Sequence, residues 1–428
     1  MAARENTEDG GPESPPWANL GAGLITGAAD DDPSGIATYS QVGAAFGYGM
    51  LWCVFVTMPL MIAIQAISAG IGRVTGRGLM DDVRLCYPRW LVYALVTSIF
   101  MANVINLAAD IGAMGAALKL LIGGPALLYA AGFAVLSLVL QVFIPFTRYA
   151  PILKLLTLSL FAYVATVMVL DVPWRAVLRS IVLPPVSWSA SYAVGLVALL
   201  GTTISPYLFC WQASEEVEEI ESSKQRKPLQ EAPLQAPSAL RRIGIDTTVG
   251  MIFSNLVAFF IILTAAVVLH AHGKTDIQSS AQAAEALRPL AGDLACGLFA
   301  AGIIGTGLLA VPILAGATAY AAAGAFGQRS GLEHKPGEAM FFYGVLVVAS
   351  LIGIALNLTP LDPIKALYWS AVINGVAAVP LMIAMMLMGS SRKVMGDFTM
   401  PWPLKLFGWT ATAVMVLAAV MMFATWAT

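Results

Sequence analysis

Long apolar stretches recur almost without interruption along this chain of 428 residues. A helix needs about 20 apolar residues to cross a bilayer, and stretches of that length predict eleven membrane-spanning helices. Their predicted bounds are 18–46, 49–71, 90–118, 125–145, 149–171, 191–214, 244–270, 290–322, 338–359, 364–389 and 403–427. The segment 78–88 is too polar to cross and is expected to lie at the membrane surface. The pattern predicts an all-α integral membrane protein.

The composition supports this prediction. Hydrophobic residues make up 58% of the chain and charged residues only 11%, whereas soluble domains carry about 25% charged residues. The formal net charge of −2 excludes a general binder of nucleic acid. The sequence offers neither a nucleotide-binding glycine loop nor a nucleophile with its base. We therefore expect a protein that is not an enzyme and needs no cofactor.

The basic residues predict the orientation of the chain in the membrane. With the N-terminus in the cytoplasm, 17 of the 23 lysines and arginines fall on the cytoplasmic side, as the positive-inside rule requires. This arrangement places the C-terminus outside the cell, and the plasma membrane is the expected location. Residues 1–17 are acidic and rich in proline and glycine, so they are expected to form a disordered cytoplasmic tail.

Two of the predicted spans are interrupted by proline at mid-membrane depth. The first reads GLITGAADDDPSGIATYSQ and the sixth reads GLVALLGTTISPYLFCWQ. Pro33 and Pro206 each remove a backbone donor and clash with the preceding turn, so both helices should break there. Unwound backbone is tolerated inside a membrane only where it lines a cavity or is buried in protein. Matching breaks in spans 1 and 6 predict an inverted repeat with a substrate site between them.

The inverted repeat divides the chain into five segments. Residues 18–171 form the first repeat with helices 1–5, and residues 190–389 form the second with helices 6–10. An extracellular loop, 172–189, joins the two repeats. Residues 390–428 contain a loop and an accessory helix 11, and 1–17 form the tail.

The two breaks also carry a family resemblance. The stretch DDDPSGIATYSQVGAAFGYGMLW resembles the first helix of the Nramp transporters, whose hallmark is Asp-Pro-Gly-Asn. The stretch GTTISPYLFCWQ resembles their sixth helix, whose hallmark centres on Met-Pro-His. The resemblance runs from about residue 18 to 425. It implies a LeuT-like fold of two inverted five-helix repeats and the transport of divalent metal ions.

The chain departs from the family pattern at the positions that decide selectivity. Asp32 matches, but Gly35 stands where the metal-binding Asn is expected. Ser205 replaces the metal-binding Met, and Tyr207 replaces the His that follows it. This pattern is similar to that of the Nramp-related magnesium transporters, a branch that keeps the scaffold and loses the transition-metal ligands.

A carboxylate at bilayer depth is costly, so Asp32 beside a helix break is expected to serve function as a cation ligand. By resemblance, Ala29 and Thr202 are the positions that donate backbone carbonyls. The predicted metal site comprises Asp32, Ala29, Gly35, Thr202, Ser205 and Asp31. The Ser205 hydroxyl either contacts the ion or bonds to its own helix, and Thr202 either binds the ion or caps broken backbone.

Further polar residues are candidates for an ion pathway. Asn103, Asn106 and Asp110 fall on one face of span 3, which either forms a hydrogen-bonded seam between helices or lines an aqueous cavity. The full set of pathway candidates is Asp30, Asn103, Asn106, Asp110, Tyr207 and Asn374.

The predicted function is uncoupled, facilitated uptake of Mg²⁺, and also of Mn²⁺, by a monomer in the lipid bilayer that works by alternating access. A ligand set made only of oxygen favours hard cations, and Mg²⁺ usually keeps several of its waters. The family's proton relay is missing, because Tyr207, Asn106 and Ala109 replace its titratable residues and span 9 contains no arginine. The alternatives are a proton-coupled importer of Mn²⁺ or Fe²⁺ and an organic-solute transporter of the same fold.

Overall fold

The computed structural model describes residues 22–144, 158–223, 225–332, 334–359 and 362–426. The predicted tail 1–17 and the first part of the predicted fifth span, 149–157, lie outside these ranges. Within them the chain forms helices joined by turns and loops, without a strand. The prediction of an all-α protein is confirmed.

Helices of eight or more residues are labelled in chain order. They are α1 (Ala22–Asp30), α2 (Pro33–Phe46), α3 (Leu51–Thr75), α4 (Leu79–Cys86), α5 (Arg89–Ile122), α6 (Ala126–Phe143), α7 (Phe161–Val169), α8 (Trp174–Val182), α9 (Ala190–Thr203), α10 (Pro206–Ser222), α11 (Ala236–Val268), α12 (Ala295–Phe326), α13 (Met340–Leu356), α14 (Pro363–Ser390) and α15 (Trp402–Trp426). Shorter helical segments are Gly47–Met50, Leu158–Leu160, Pro233–Gln235, His270–His272, Ser280–Ala284, Glu285–Leu287, Arg288–Ala291, Gly292–Leu294 and Arg392–Met395.

Eight helical stretches of the described residues are long and apolar enough to cross a membrane. One of them, Pro33–Thr75, contains two helices, α2 and α3, which correspond to two predicted spans. Another predicted span is the apolar helix α13, which has 17 residues. The predicted fifth span lies partly outside the described residues, and its described part, Leu158–Val169, is followed after a bend of 115° by α8. The chain is a multi-pass membrane protein.

Contacts with α11 show that α2 and α3 run in opposite directions. Gly27 of α1 lies against Gly250, and Gly43 near the end of α2 lies against Ile262, so the first span runs in the same direction as α11. Along α3 the order is reversed, because the Thr57 hydroxyl lies 3.5 Å from Asn255, whereas Arg73 reaches Gln235 just before α11 begins. The turn between α2 and α3 passes through Gly47, whose φ of 56° favours glycine.

The first and sixth spans are interrupted at the predicted prolines. Helix α1 ends at Asp30 and α2 begins at Pro33, whereas α9 ends at Thr203 and α10 begins at Pro206. Two residues separate the half-helices in each case. Proline suits the first position of a helix, because the amide that it lacks would have no partner within the helix there.

The half-helices pack against the rest of the bundle through glycine. A Cβ atom at Gly27 would lie 2.3 Å from the carbonyl oxygen of Gly250 on α11. A Cβ atom at Gly201 would lie 2.0 Å from the carbonyl oxygen of Ala371 on α14. Small residues allow such close approach of helix backbones inside a membrane. The Asp246 carboxylate of α11 also accepts a hydrogen bond of 2.7 Å from the Gly23 amide in the first turn of α1.

These contacts predict that Gly201→Ala destabilises the protein. The added methyl group would force α9 away from α14, and overpacking of this kind costs about 1–3 kcal/mol. We expect a lower melting temperature for Gly201→Ala in detergent, measured by size-exclusion chromatography after heating. Gly344→Ala in α13 is the matched control, because no atom lies within 4 Å of its added Cβ. Equal melting temperatures for the two variants would contradict the packing argument.

Candidate functional site

Four half-helix ends meet where the two broken spans cross. The Tyr207 hydroxyl at the start of α10 donates a hydrogen bond of 3.0 Å to the Ala29 carbonyl near the end of α1. A Cβ atom at Gly35, near the start of α2, would lie 3.3 Å from the Thr202 hydroxyl near the end of α9. The carbonyl ends of α1 and α9 favour a cation, whereas the amide ends of α2 and α10 favour an anion. The crossing therefore suits a carboxylate together with a metal ion.

Asp32 occupies the N-cap position of α2, and its carboxylate is fixed by neutral donors. Its Oδ1 accepts hydrogen bonds of 2.7 Å from the Ser34 hydroxyl and the Gly35 amide. Its Oδ2 accepts from the Asn106 side-chain amide at 3.0 Å, and the Tyr207 hydroxyl lies 3.4 Å away. The side chain is 1% exposed. Asp32 is therefore a buried carboxylate, held in one orientation without a positively charged partner among these contacts.

Asp30 and Asp31 face a different helix. The Ser254 hydroxyl of α11 lies 2.5 Å from Oδ2 of Asp30 and 3.4 Å from Oδ1 of Asp31. The other oxygen of each carboxylate has no hydrogen-bond partner within the described ranges. Both side chains are fully buried. The two acids thus share one hydroxyl beside the break, while Asp32 points toward α5 and α10.

Asp110 is a fourth buried acid near the break. Its electrostatic neighbours are the Asp32 carboxylate and the backbone amide of Ser34, but neither of its oxygens makes a hydrogen bond of ordinary geometry in the described part of the chain. The side chain is fully buried.

All four acids lack an ion-pair partner, since the ion pairs within 4.0 Å among described residues involve other carboxylates. Burial of an uncompensated charge costs several kcal/mol. A bound cation or bound protons would remove this cost. Over the described ranges, no three His, Cys, Asp or Glu side chains converge well enough to hold a metal ion. An ion at Asp32 therefore requires carbonyl, hydroxyl or water oxygens in addition.

Ser205 bonds to the preceding half-helix, α9. Its hydroxyl donates to the carbonyl oxygens of Gly201 at 2.5 Å and Thr202 at 3.2 Å. Hydrogen bonding to the neighbouring helix backbone was one of the two roles expected for Ser205. The bond to Thr202 uses a carbonyl that was predicted to bind the ion. The oxygen lone pairs of Ser205 are not used by these two bonds, so the side chain retains the ability to accept or ligate.

Gly35 lies in a confined space. An added Cβ atom would lie 3.0 Å from the carbonyl oxygen of Asp30, 3.3 Å from the Thr202 hydroxyl and 3.4 Å from the Tyr39 ring. A larger side chain at this position would crowd the break between α1 and α2. Glycine therefore lets the ends of α1 and α9 and the Tyr39 ring pack closely around the start of α2.

The remaining pathway candidates are buried and separate into different environments. The Asn106 side-chain oxygen accepts a hydrogen bond of 2.7 Å from Ser370 of α14. The Asn103 amide donates to Thr318 of α12 at 3.0 Å. Asn374 lies one turn after Ser370, and neither of its side-chain amide atoms has a partner in the described part of the chain. Among the hydrogen bonds of the described residues, Asn106 is the one member of these three that bonds directly to Asp32.

Sequence reasoning missed four hydroxyl groups that contact these residues, at Ser34, Ser254, Thr318 and Ser370. For Ser34 a signal was available, because Asp followed by Pro marks an N-cap whose carboxylate accepts from the next residues. Ser254 and Ser370 are single hydroxyls in long apolar helices. Their sequence context carries no signal that distinguishes them from serines bonded to their own helix.

Two interrupted helices that cross within a helical bundle are typical of the fold of many secondary transporters. Solved structures share this fold. The Eremococcus coleocola manganese transporter, solved with an aromatic bis-isothiourea compound, aligns with 96% of this chain and 87% of its own at 18% identity and a TM-score of 0.72. MhsT, solved with L-phenylalanine, aligns with 94% of this chain and 98% of its own at 13% identity and a TM-score of 0.60. At these identities the likeness shows the fold.

The family follows from the sequence itself. The profile of the family described as "Natural resistance-associated macrophage protein-like" matches residues 23–425. The chain belongs to the Nramp family. Nramp proteins are transporters rather than enzymes, they carry divalent metals such as Mn²⁺, and they have no cofactor. The predictions of the Nramp family, of the LeuT-like fold and of a divalent metal ion as substrate are confirmed.

The contacts of Asp32 predict that Asn106→Leu weakens metal binding. The substitution removes the amide that orients Oδ2 of Asp32, and hydrogen bonds to a charged group contribute about 1.5–3 kcal/mol. We expect the Kd for Mn²⁺ to rise at least tenfold, measured by isothermal titration of the detergent-solubilised protein. Asn255→Leu on α11 is the control, since its buried amide donates to the Met251 carbonyl. A similar loss in both variants would refute a specific role for the Asn106 contact.

Proposed function

We propose that this transporter mediates uncoupled uptake of Mg²⁺, and also of Mn²⁺, across the plasma membrane. It acts as a monomer by alternating access, with the N-terminus in the cytoplasm and the C-terminus outside. A partly hydrated ion binds beside Asp32 between the breaks of the first and sixth spans. The observation that carries this proposal is the Asp32 carboxylate, which neutral donors orient at the meeting point of four half-helices.

The chemistry of the predicted ligands favours a hard cation. Asp32 contributes a carboxylate, Ala29 and Thr202 contribute carbonyls, and Ser205 contributes a hydroxyl. Oxygen ligands suit Mg²⁺ and Mn²⁺, whereas thioether sulfur selects softer metals. Ser205 stands at the position where the family resemblance places a methionine, so this ligand set lacks that sulfur.

The small residues Gly35 and Ser205 at the two breaks support binding of a partly hydrated ion. Mg²⁺ loses its waters reluctantly and is usually held through one or two carboxylates. Gly35 adds no side chain to the confined space beside Asp32. The hydroxyls of Tyr207 and Ser205 can hydrogen-bond to waters of the ion when they exchange their present partners, the carbonyls of Ala29 and Gly201.

The same geometry argues against an organic carboxylate as the substrate. A transporter of this fold that binds a substrate carboxylate offers it free amides at a half-helix N-terminus. In this chain Asp32 already accepts from the Gly35 amide at the start of α2. Asp30 and Asp31 add further negative charge at the break. A carboxylate substrate would be repelled at this position.

Passive transport follows from the residues that replace the family's proton relay. Tyr207, Asn106 and Ala109 do not titrate near neutral pH, and α13 contains no arginine. An inside-negative membrane potential would still draw the ion inward, because each charge gains about 2.3 kcal/mol per 100 mV and a divalent ion gains twice that amount.

The selectivity proposal predicts a shift in metal preference when soft and amide ligands are restored. Ser205→Met combined with Gly35→Asn should raise the affinity for Cd²⁺ and Mn²⁺ relative to Mg²⁺ by at least tenfold. The sulfur supplies a softer ligand, and both side chains reduce the space for waters. Isothermal titration with each metal measures the change. Because Gly35→Asn crowds the break, Ser205→Met alone serves as a second variant. If neither variant gains affinity for Cd²⁺, ligand softness does not set selectivity.

The passive mechanism predicts Mg²⁺ entry without proton entry. Proteoliposomes that contain a pH-sensitive dye should show no acidification when Mg²⁺ enters under a potential set by valinomycin. A magnesium indicator in parallel vesicles confirms that the ion moves. Asp110 is the candidate proton carrier in place of the missing relay, because it follows Ala109, which stands at a relay position, and it is buried near Asp32. Metal-dependent acidification that disappears in Asp110→Asn would overturn the passive mechanism and identify Asp110 as the carrier.

A further inference from the structure

A polar cavity separate from the proposed metal site lies at the end of α3. Its volume is about 310 Å³, within the range of small-ligand pockets. It is formed by the end of α3, the segment before α11 and the first turns of α11. The lining residues are Arg73, Gln225, Arg226, Gln235, Ser238, Ala239 and Arg242. Three arginines therefore face one small cavity.

Arg73 is a buried cation with unused donors. Arg73 is only 3% exposed. Nη2 donates a hydrogen bond of 3.0 Å to the Gln235 side-chain oxygen, but Nε and Nη1 have no partner in the described part of the chain. Arginine is almost never fully buried unless it is paired, and leaving such a charge uncompensated costs several kcal/mol. The free donors of Arg73 therefore require an anion or water in the cavity.

The other two arginines are paired, and the cavity remains net positive. Arg242 contacts Glu216 at 2.6 Å and Glu219 at 2.9 Å, and Arg226 also pairs with Glu219. Three guanidinium groups thus share two carboxylates, which leaves one excess positive charge.

The start of α11 adds to the positive electrostatic potential of the cavity. Gln235 is the N-cap of this helix of 33 residues, and the helix dipole is positive at that end. The cavity is therefore electropositive for two independent reasons.

We propose that this cavity binds a phosphate group. Planar guanidinium groups match the oxygens of phosphate in geometry and charge, and Arg73 has unpartnered donors at Nε and Nη1. The phosphate belongs either to the headgroup of an anionic phospholipid or to a soluble phosphate compound. Basic pockets between membrane helices on the cytoplasmic side are typical sites for anionic headgroups, and the orientation predicted from the basic residues places this cavity on that side. Phosphate binding in this cavity does not depend on which metal the transporter carries.

The test uses the full-length protein and one probe for each source of phosphate. Inorganic pyrophosphate represents the soluble source, and its Kd is measured by isothermal titration at constant ionic strength. Phosphatidylglycerol in phosphatidylcholine nanodiscs represents the lipid source, and lipid that stays bound is counted by native mass spectrometry. Arg73→Gln removes the central guanidinium, and Arg226→Gln removes an exposed one with less risk to folding. Arg241→Gln is the matched control, because Arg241 is exposed beside Arg242 and does not line the cavity.

The wild-type protein is expected to bind at least one of the two probes with a stoichiometry of about one. Arg73→Gln should weaken that binding about tenfold, which is the effect of losing one charged hydrogen-bonding partner. Arg226→Gln should weaken it several-fold, and Arg241→Gln less than twofold. Binding of only one probe identifies the source of the phosphate. Failure of the wild type to bind either probe would overturn the proposal, as would equal losses in Arg73→Gln and Arg241→Gln.

Discussion

The structure depends on one constraint, which is that carboxylates at bilayer depth must be compensated. Asp30, Asp31, Asp32 and Asp110 are buried, and each lacks an ion-pair partner among the described residues. Asp32 is the best stabilised, because the N-terminal turn of α2, Asn106 and Tyr207 all donate to it or approach it. The break at Pro33 makes this possible, since it creates a helix N-terminus inside the membrane. The buried Asp32 carboxylate and the helix interruption are thus parts of one arrangement.

The glycine contacts hold this arrangement together. The half-helices α1 and α9 are short and carry exposed backbone ends, so they need close neighbours. Gly27 and Gly201 bring them against α11 and α14 at backbone distance. The same two long helices supply Ser254 and Ser370, which bond to the acids and to Asn106. The scaffold helices therefore set the positions of the acids as well as those of the broken spans.

The sequence predicted the fold well because two strong physical signals carry it. Apolar length predicted the spans, and the prolines predicted both breaks. The predicted bounds of the spans were less accurate, since α11 begins at Ala236 whereas the predicted span begins at residue 244. Its first turns are polar and lie beyond the apolar stretch that hydropathy detects. The partnership of Asp30 and Asp31 with Ser254 was not predictable, because it depends on the rotation of α11 against α1, which no local pattern records.

Asp32 is the residue on which the proposed function rests most directly. Mg²⁺ entry into proteoliposomes, followed with an internal magnesium indicator, tests it in wild-type protein and in Asp32→Ala. The variant should lose Mg²⁺ flux and keep the elution profile and melting temperature of a folded protein, because the substitution removes the charged ligand and leaves both helices in place. Transport at the wild-type rate by a well-folded Asp32→Ala protein would contradict the assignment of Asp32 as the central ion ligand.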